Sequence, residues 1–147
     1  MLPESDGLVL GGTREGRTVS PQTPPARTIT AGVDGFDHQW KHWLALREDV
    51  RASKAAKQWE RVSAACDAVL VLATANPDLQ IVGWMFTKQK ANALAQLGRT
   101  AAAIDTYECA AAECERYRRT VRMSKPSDFA GDVETMRKRA ASLRKKL

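Results

Sequence analysis

The sequence predicts an all-α fold, and three observations carry that prediction. Alanine is abundant and runs of β-branched residues are scarce, a composition that favours helix. From about residue 34 onward, apolar residues recur at steps of three and four, the period of one buried helix face. The stretches between are marked by residues that stop helices: Gly98, Asn76-Pro77-Asp78 and Lys125-Pro126-Ser127-Asp128.

Taken in order, residues 1–33 are expected to be an extended or disordered arm. They hold Pro3, Pro21, Pro24 and Pro25 among Gly, Ser, Thr and Arg, and show no helical period. A helical domain is expected over 34–147. Its first helix starts near Asp34 or Asp37, either of which suits a cap, and carries Trp40, Trp43, Leu44, Arg47 and Val50. The second, about 55–74, carries Trp59, Val62, Cys66, Val69 and Leu70. Asn76-Pro77-Asp78 stops it and supplies a new cap for a third helix that runs to Leu97. The fourth, about 100–122, has the stripe Ile104, Tyr107, Ala111, Cys114, Tyr117 and Val121. The last, about 127–147, places Phe129, Val133, Met136, Ala140, Leu143 and Leu147 at alternating steps of four and three. This narrow seam either closes the stack from within the chain or pairs two chains as a homodimer. Trp40, Trp43, Trp59 and Trp84 are expected in the core. Phe36 and Trp40 at its edge become a docking patch if exposed.

Composition bounds the function. The 147 residues amount to one domain. No apolar run is long enough to span a membrane and no signal segment opens the chain, so membrane association is not expected and the cytoplasm is the expected location. Cys66, Cys109 and Cys114 form no Cys-x-x-Cys pair and read as small packing residues in a reduced compartment. The net charge of +6 is concentrated at one end. Residues 116–147 hold 11 Lys and Arg against 3 Asp and Glu, whereas residues 1–115 hold 12 against 14.

Residues 84–117 have a more specific pattern. Ala91, Leu94, Leu97, Gly98, Ala103, Ile104, Tyr107 and Ala110 stand where the 34-residue helix–turn–helix unit of the tetratricopeptide family has its characteristic residues, and the segment resembles that family. A looser match begins at Trp43, 41 residues before Trp84, with Lys57 at the turn position that Gly98 holds and the extra length around 74–80. The resemblance implies about two antiparallel helical hairpins, followed here by the amphipathic last helix. It also implies protein or peptide binding without chemistry. In that family the first helix of each hairpin lines the groove, and some members hold a peptide carboxylate with Lys and Asn four residues apart. The matching positions here are Lys88 and Asn92, with Arg47 and Arg51 in the earlier unit. Lys88 and Asn92 are accordingly expected to serve binding and not stability. A second segment, Leu8–Arg17, resembles the opening strand and glycine turn of precorrin reductases. The prolines that follow exclude the phosphate-binding helix of that family, so no cofactor is expected.

His38 and His42 lie one turn apart, a spacing that suits a metal, but Gln39-Trp40-Lys41 between them lacks a catalytic glutamate. A structural or solvent-exposed pair without metal is expected. No nucleophile–base arrangement stands out, and an enzyme is not expected. The basic end, comprising Arg116, Arg118, Arg119, Arg122, Arg137, Lys138, Arg139, Arg144, Lys145 and Lys146, suits an acidic protein surface or the phosphates of a nucleic acid. The expected function is therefore an adaptor or scaffold for an acidic protein or peptide. A nucleic-acid accessory role through the basic end is the alternative.

Overall fold

The computed structural model describes residues 27–120 and 129–147, with side chains from residue 35 onward. All the regular structure described is helical: α1 (Arg27–Ala55), α2 (Trp59–Ala75), a single 3-10 turn (Pro77–Leu79), α3 (Gly83–Gln96), α4 (Thr100–Thr120) and α5 (Ala130–Arg144). The all-α expectation is met. The chain divides into two compact units, Met1–Asp37 and His38–Leu147. Of the first, the described part is the opening of α1, which begins at Arg27, ahead of Asp34 and Asp37. Pro25 is the last proline before it, and nothing between Arg27 and Asp34 forbids helix. The rest of the expected arm, with Leu8–Arg17, lies outside the described residues, as do Val121, Arg122 and Lys125-Pro126-Ser127-Asp128.

Within the second unit, α2 packs on α3, α3 on α4 and α4 on α5. The arrangement follows from α3. Phe86 and Ala93 are seven residues apart on one face and join a core with Trp43 and Val50 of α1 and Val62, Cys66, Val69 and Leu72 of α2. Trp84 and Ala91, two residues earlier at each step, sit on the opposite face. They join a second core with Ile104, Tyr107 and Cys114 of α4 and Val133, Met136 and Ala140 of α5. Ala91, Ala93 and Ala103 have no exposed surface, so these helices approach one another as closely as a methyl group allows. Trp43 meets Phe86 edge-on at 5.4 Å, and Trp84 meets Phe129 edge-on at 5.5 Å. Trp59 is half-buried against the first core, while Trp40 is exposed on α1 with Phe36 and Leu44.

The seam of α5 is filled from inside the chain: Val133, Met136 and Ala140 are buried in the second core. The same apolar atoms are therefore not on offer to a second chain; of the six, Leu147 stands well out in solvent and Phe129 is partly exposed. Phe129, at the start of α5, has a left-handed backbone (φ 63°), which a bulky residue adopts only when its surroundings hold it there. The rings of Trp84 and Tyr117, 5.5 and 5.9 Å away, hold it. Asp78 does not cap α3. Asn76 ends α2 by donating its Nδ2 to the Leu72 carbonyl (3.0 Å), and the 3-10 turn then carries buried Leu79 into the first core before α3 opens at Gly83.

The turns α1–α2 and α3–α4 are built alike. At the first, Gln58 N–H donates to the Ser53 carbonyl, Lys57 is left-handed (φ 58°), and Val62 N–H returns to the Gln58 carbonyl. At the second, Arg99 N–H donates to Leu94, Gly98 is left-handed (φ 76°), and Ala103 N–H returns to Arg99. Each is a left-handed helix cap of the kind glycine favours, and the first uses lysine. Lys57→Gly should therefore raise stability by about 0.5–1 kcal/mol, because glycine removes the Cβ penalty at positive φ. Gly98→Val should lower it by about 1–3 kcal/mol for the opposite reason, although nothing crowds the site. Chemical denaturation of the two variants against wild type gives both values. A destabilised Lys57→Gly would contradict the cap.

Candidate functional site

The face of α1 that carries Arg47 and Arg51 opens onto a cleft of about 650 Å³. Arg47, Glu48, Val50, Arg51, Lys54 and Ala55 form one side, and Phe86 and Gln89 of α3 form the other. Steps of three and four put 47, 50, 51 and 54 on one face of α1. Val50 and Phe86 are buried and make an apolar floor, while Arg47, Arg51 and Lys54 are exposed along the rim. The guanidinium of Arg47 lies 5.9 Å from the Trp43 ring, a cation–π contact that fixes its place. Arg51 donates from Nε to Glu48 Oε1 at 2.9 Å and from Nη2 to the other carboxylate oxygen, a two-pronged pair on neighbouring turns. Those hydrogen bonds, with the charges of Arg51 and Arg47, hold the Glu48 carboxyl below its ordinary range. The next acid, Asp49, is taken by Arg61 of α2 at 2.8 Å.

Lys88 and Asn92 do not line this cleft. Lys88 stands over the Trp84 ring at 5.7 Å, repeating the Arg47–Trp43 contact one unit later. Asn92 Oδ1 accepts hydrogen bonds from the Tyr107 hydroxyl and from Arg139 Nη1 (3.0 Å). Tyr107 is buried, and burial pushes its hydroxyl pKa above the ordinary value. Asn92 is therefore a joint between α3, α4 and α5. The structure brings Arg47 and Arg51 together with Lys54, Phe86 and Gln89, three residues that sequence reasoning missed. Lys54 was visible as the next cation along the Arg47–Arg51 face. Phe86 was visible as the aromatic two residues past Trp84, on the opposite face of α3.

Much of the basic end is engaged within the chain. Arg118 and Arg119 flank Glu115 at 2.8 and 3.9 Å, and with Arg137 nearby they hold the Glu115 carboxyl below its ordinary range, hydrogen bonding from Arg118 leading. Lys138 pairs with Glu134 at 3.3 Å, Arg139 with Asn92, and Arg144 with Glu108 of α4. Arg116, Arg137, Lys145 and Lys146 make no ion pair among the described residues. Arg122 lies outside them. His38 and His42 are both exposed, and among the described residues no three His, Cys, Asp or Glu gather as metal ligands. No described helix is long and apolar enough to cross a membrane.

The cysteines divide by depth. Cys66 and Cys114 are buried and Cys109 is exposed, as their five-residue separation on α4 requires for the latter two. Burial pushes the Cys66 thiol up to about 12 and the Cys114 thiol up to about 11. Cys109 Sγ sits 3.3 Å from Glu113 Oε2, whose other oxygen accepts from buried Thr87 at 2.8 Å.

No family model, no curated protein and no solved structure matches this chain.

Two outcomes follow. Asn92→Ala should cost about 1–3 kcal/mol, since it leaves the buried Tyr107 hydroxyl without its acceptor. Lys88→Ala should cost less, about 0.5–1 kcal/mol, since the half-buried lysine loses its contact with the Trp84 ring but leaves no buried group without a hydrogen bond. Equal melting temperatures for the two would contradict the joint, and a loss at Asn92 corrects the expectation that this residue serves binding alone. For pH, the Cys66 thiol keeps its stabilising effect below the unfolded value near 9 and loses it as pH rises toward about 12. Cys66→Ala should accordingly flatten the alkaline fall in denaturation midpoint, and an unchanged slope would show that the thiol does not titrate with unfolding.

Proposed function

We propose that the protein is a non-enzymatic adaptor of tetratricopeptide type that holds an acidic peptide in the cleft between α1 and α3. The observation that carries this reading is the cleft itself: three cations on one helix face above an apolar floor. A ligand with carboxylates and apolar side chains satisfies both at once.

The repeat-type reading is supported by a register of 41 residues in which unlike features recur together. Trp43 with Arg47 corresponds to Trp84 with Lys88. Left-handed Lys57 corresponds to left-handed Gly98. Buried Val62, Cys66 and Val69 correspond to buried Ala103, Tyr107 and Ala110. The adaptor reading is further supported by the polar groups inside the fold, such as Thr87–Glu113 and Tyr107–Asn92, which bond to one another rather than stand poised for chemistry. Three free cysteines, two of them buried, fit a reduced compartment.

Charge reversal at the cleft tests the proposal. Fluorescence anisotropy would follow labelled acidic peptides and unrelated single-stranded oligonucleotides, at low and moderate salt. The double variant Arg47→Glu, Lys54→Glu should weaken peptide binding at least tenfold, whereas Arg137→Glu, Lys145→Glu should leave it nearly unchanged. If only the second variant loses binding, and oligonucleotides bind with a steep salt dependence, the basic end is the working surface and the ligand is nucleic acid.

A further inference from the structure

The cleft contains one group that opposes its proposed ligand. Glu48 is the sole acid among the residues lining it, and it lies between Arg47 and Arg51 in sequence. Several other ion pairs tie separate parts of the fold together: Arg61–Asp49 joins α2 to α1, Lys90–Asp67 joins α3 to α2, and Arg144–Glu108 joins α5 to α4. Arg51–Glu48 joins neighbouring turns of a single helix, with both side chains more than 60% exposed, so it fixes no two elements. Its geometry is nevertheless the one an external carboxylate would adopt, both prongs of the guanidinium meeting both oxygens.

The cations are also spaced for a particular ligand. Arg47 and Arg51 are four residues apart on α1, a rise of about 6 Å. An extended peptide advances about 3.3 Å per residue and turns alternate side chains to the same side, so its carboxylates at every second position fall about 6.6 Å apart. Lys54, three residues further along the same face, reaches a third with its flexible stem. The side chains between the acids then face the α3 wall, where Phe86 supplies apolar surface.

We infer that Glu48 is an internal counter-ion, displaced from Arg51 when an extended peptide bearing carboxylates on alternate residues enters the cleft. The inference rests on the reading of the cleft as an acidic-peptide site. Glu48 mimics the ligand, so it discriminates: a weakly acidic segment does not displace it, and a segment presenting two or more carboxylates in register does. Exchange of one carboxylate for another leaves Arg51 paired throughout.

Glu48→Gln tests it. The substitution keeps the shape of an exposed side chain and removes its charge, so the fold is not at risk, and a melting curve records that. The probe is a labelled seven-residue peptide with aspartates at alternate positions and leucines between, compared with a peptide of the same composition whose aspartates are contiguous. Glu48→Gln should bind the alternating peptide more tightly than wild type, by up to about fivefold, the scale of an exposed intrahelical ion pair. The gain should shrink as salt screens the charges. Wild type should prefer the alternating peptide to the contiguous one. If Arg47→Glu, Lys54→Glu abolishes binding but Glu48→Gln binds no tighter than wild type, the counter-ion inference is wrong and the cleft reading survives. Equal binding of the two peptides overturns the alternate-residue register. No binding of either peptide by any variant overturns the cleft reading and this inference with it.

Discussion

α3 is buried on two opposite faces, and the neighbouring helices take their places from that constraint. A helix with one apolar stripe needs one partner layer, whereas α3 carries Phe86 and Ala93 toward α1 and α2, and Trp84 and Ala91 toward α4 and α5. The two faces are possible because the sequence puts an aromatic at the start of each and an alanine one heptad on. The aromatics fill volume in each core, and the alanines leave room for the facing helices to pack closely. Enlarging Ala93 would crowd the first core and enlarging Ala91 the second, because neither methyl has exposed surface. The cleft follows from the same arrangement: Phe86 reaches the α1 side, and the basic face of α1 stands beside it.

Charge is deployed in two ways along this chain. In one, cations fasten separate elements together: Arg61 to Asp49, Lys90 to Asp67, Arg99 of the α3–α4 turn to Glu60, Arg144 to Glu108, with Arg139 reaching Asn92. In the other, at the cleft, the cations on the rim exceed the acids. Of the 11 cations at residues 116–147, Arg139 and Arg144 belong to the first kind, while Arg118, Arg119 and Lys138 pair with acids on their own helices. The basic end of the sequence is therefore engaged in part within the fold. The cleft differs in setting its cations beside an apolar floor, and this is why the proposed ligand is placed there.

The sequence was most legible where a local rule acted alone. The all-helical class and the break at Gly98 follow from composition, period and backbone freedom, and α2, α3 and α4 stand close to where these put them. Capping was less legible: Asp78 looks like a cap, yet Asn76 closes α2 and the chain inserts Leu79 into the core before α3 can begin. A sequence pattern does not show which apolar residue of a loop the core will accept. Nor did it show that Lys57 adopts a left-handed backbone, because lysine carries no such signature and only the turn geometry imposes it. Of the residues singled out for binding, Arg47 and Arg51 share a cleft because helix spacing alone puts them on one face. Asn92 does not join them because α5, which is remote in sequence, brings Arg139 to it.

That last contrast bears on how the site is confined. In the register of 41 residues, Asn92 holds the position that Arg51 holds one unit earlier. At the later position α5 supplies a guanidinium, the Tyr107 hydroxyl supplies a second donor, and the carboxamide oxygen accepts both. At the earlier position no such cross-helix bond is made among the described residues, and Arg51 turns to Glu48 on its own helix. The difference is one of strength as well as place. A buried hydroxyl left without its acceptor costs more than an exposed ion pair gives. The Asn92 joint is therefore not readily opened by a ligand, whereas the Arg51 pair is. On the proposed reading, a groove that two units could have lined is reduced to the part along α1, and the residue there with the most easily exchanged partner is Arg51.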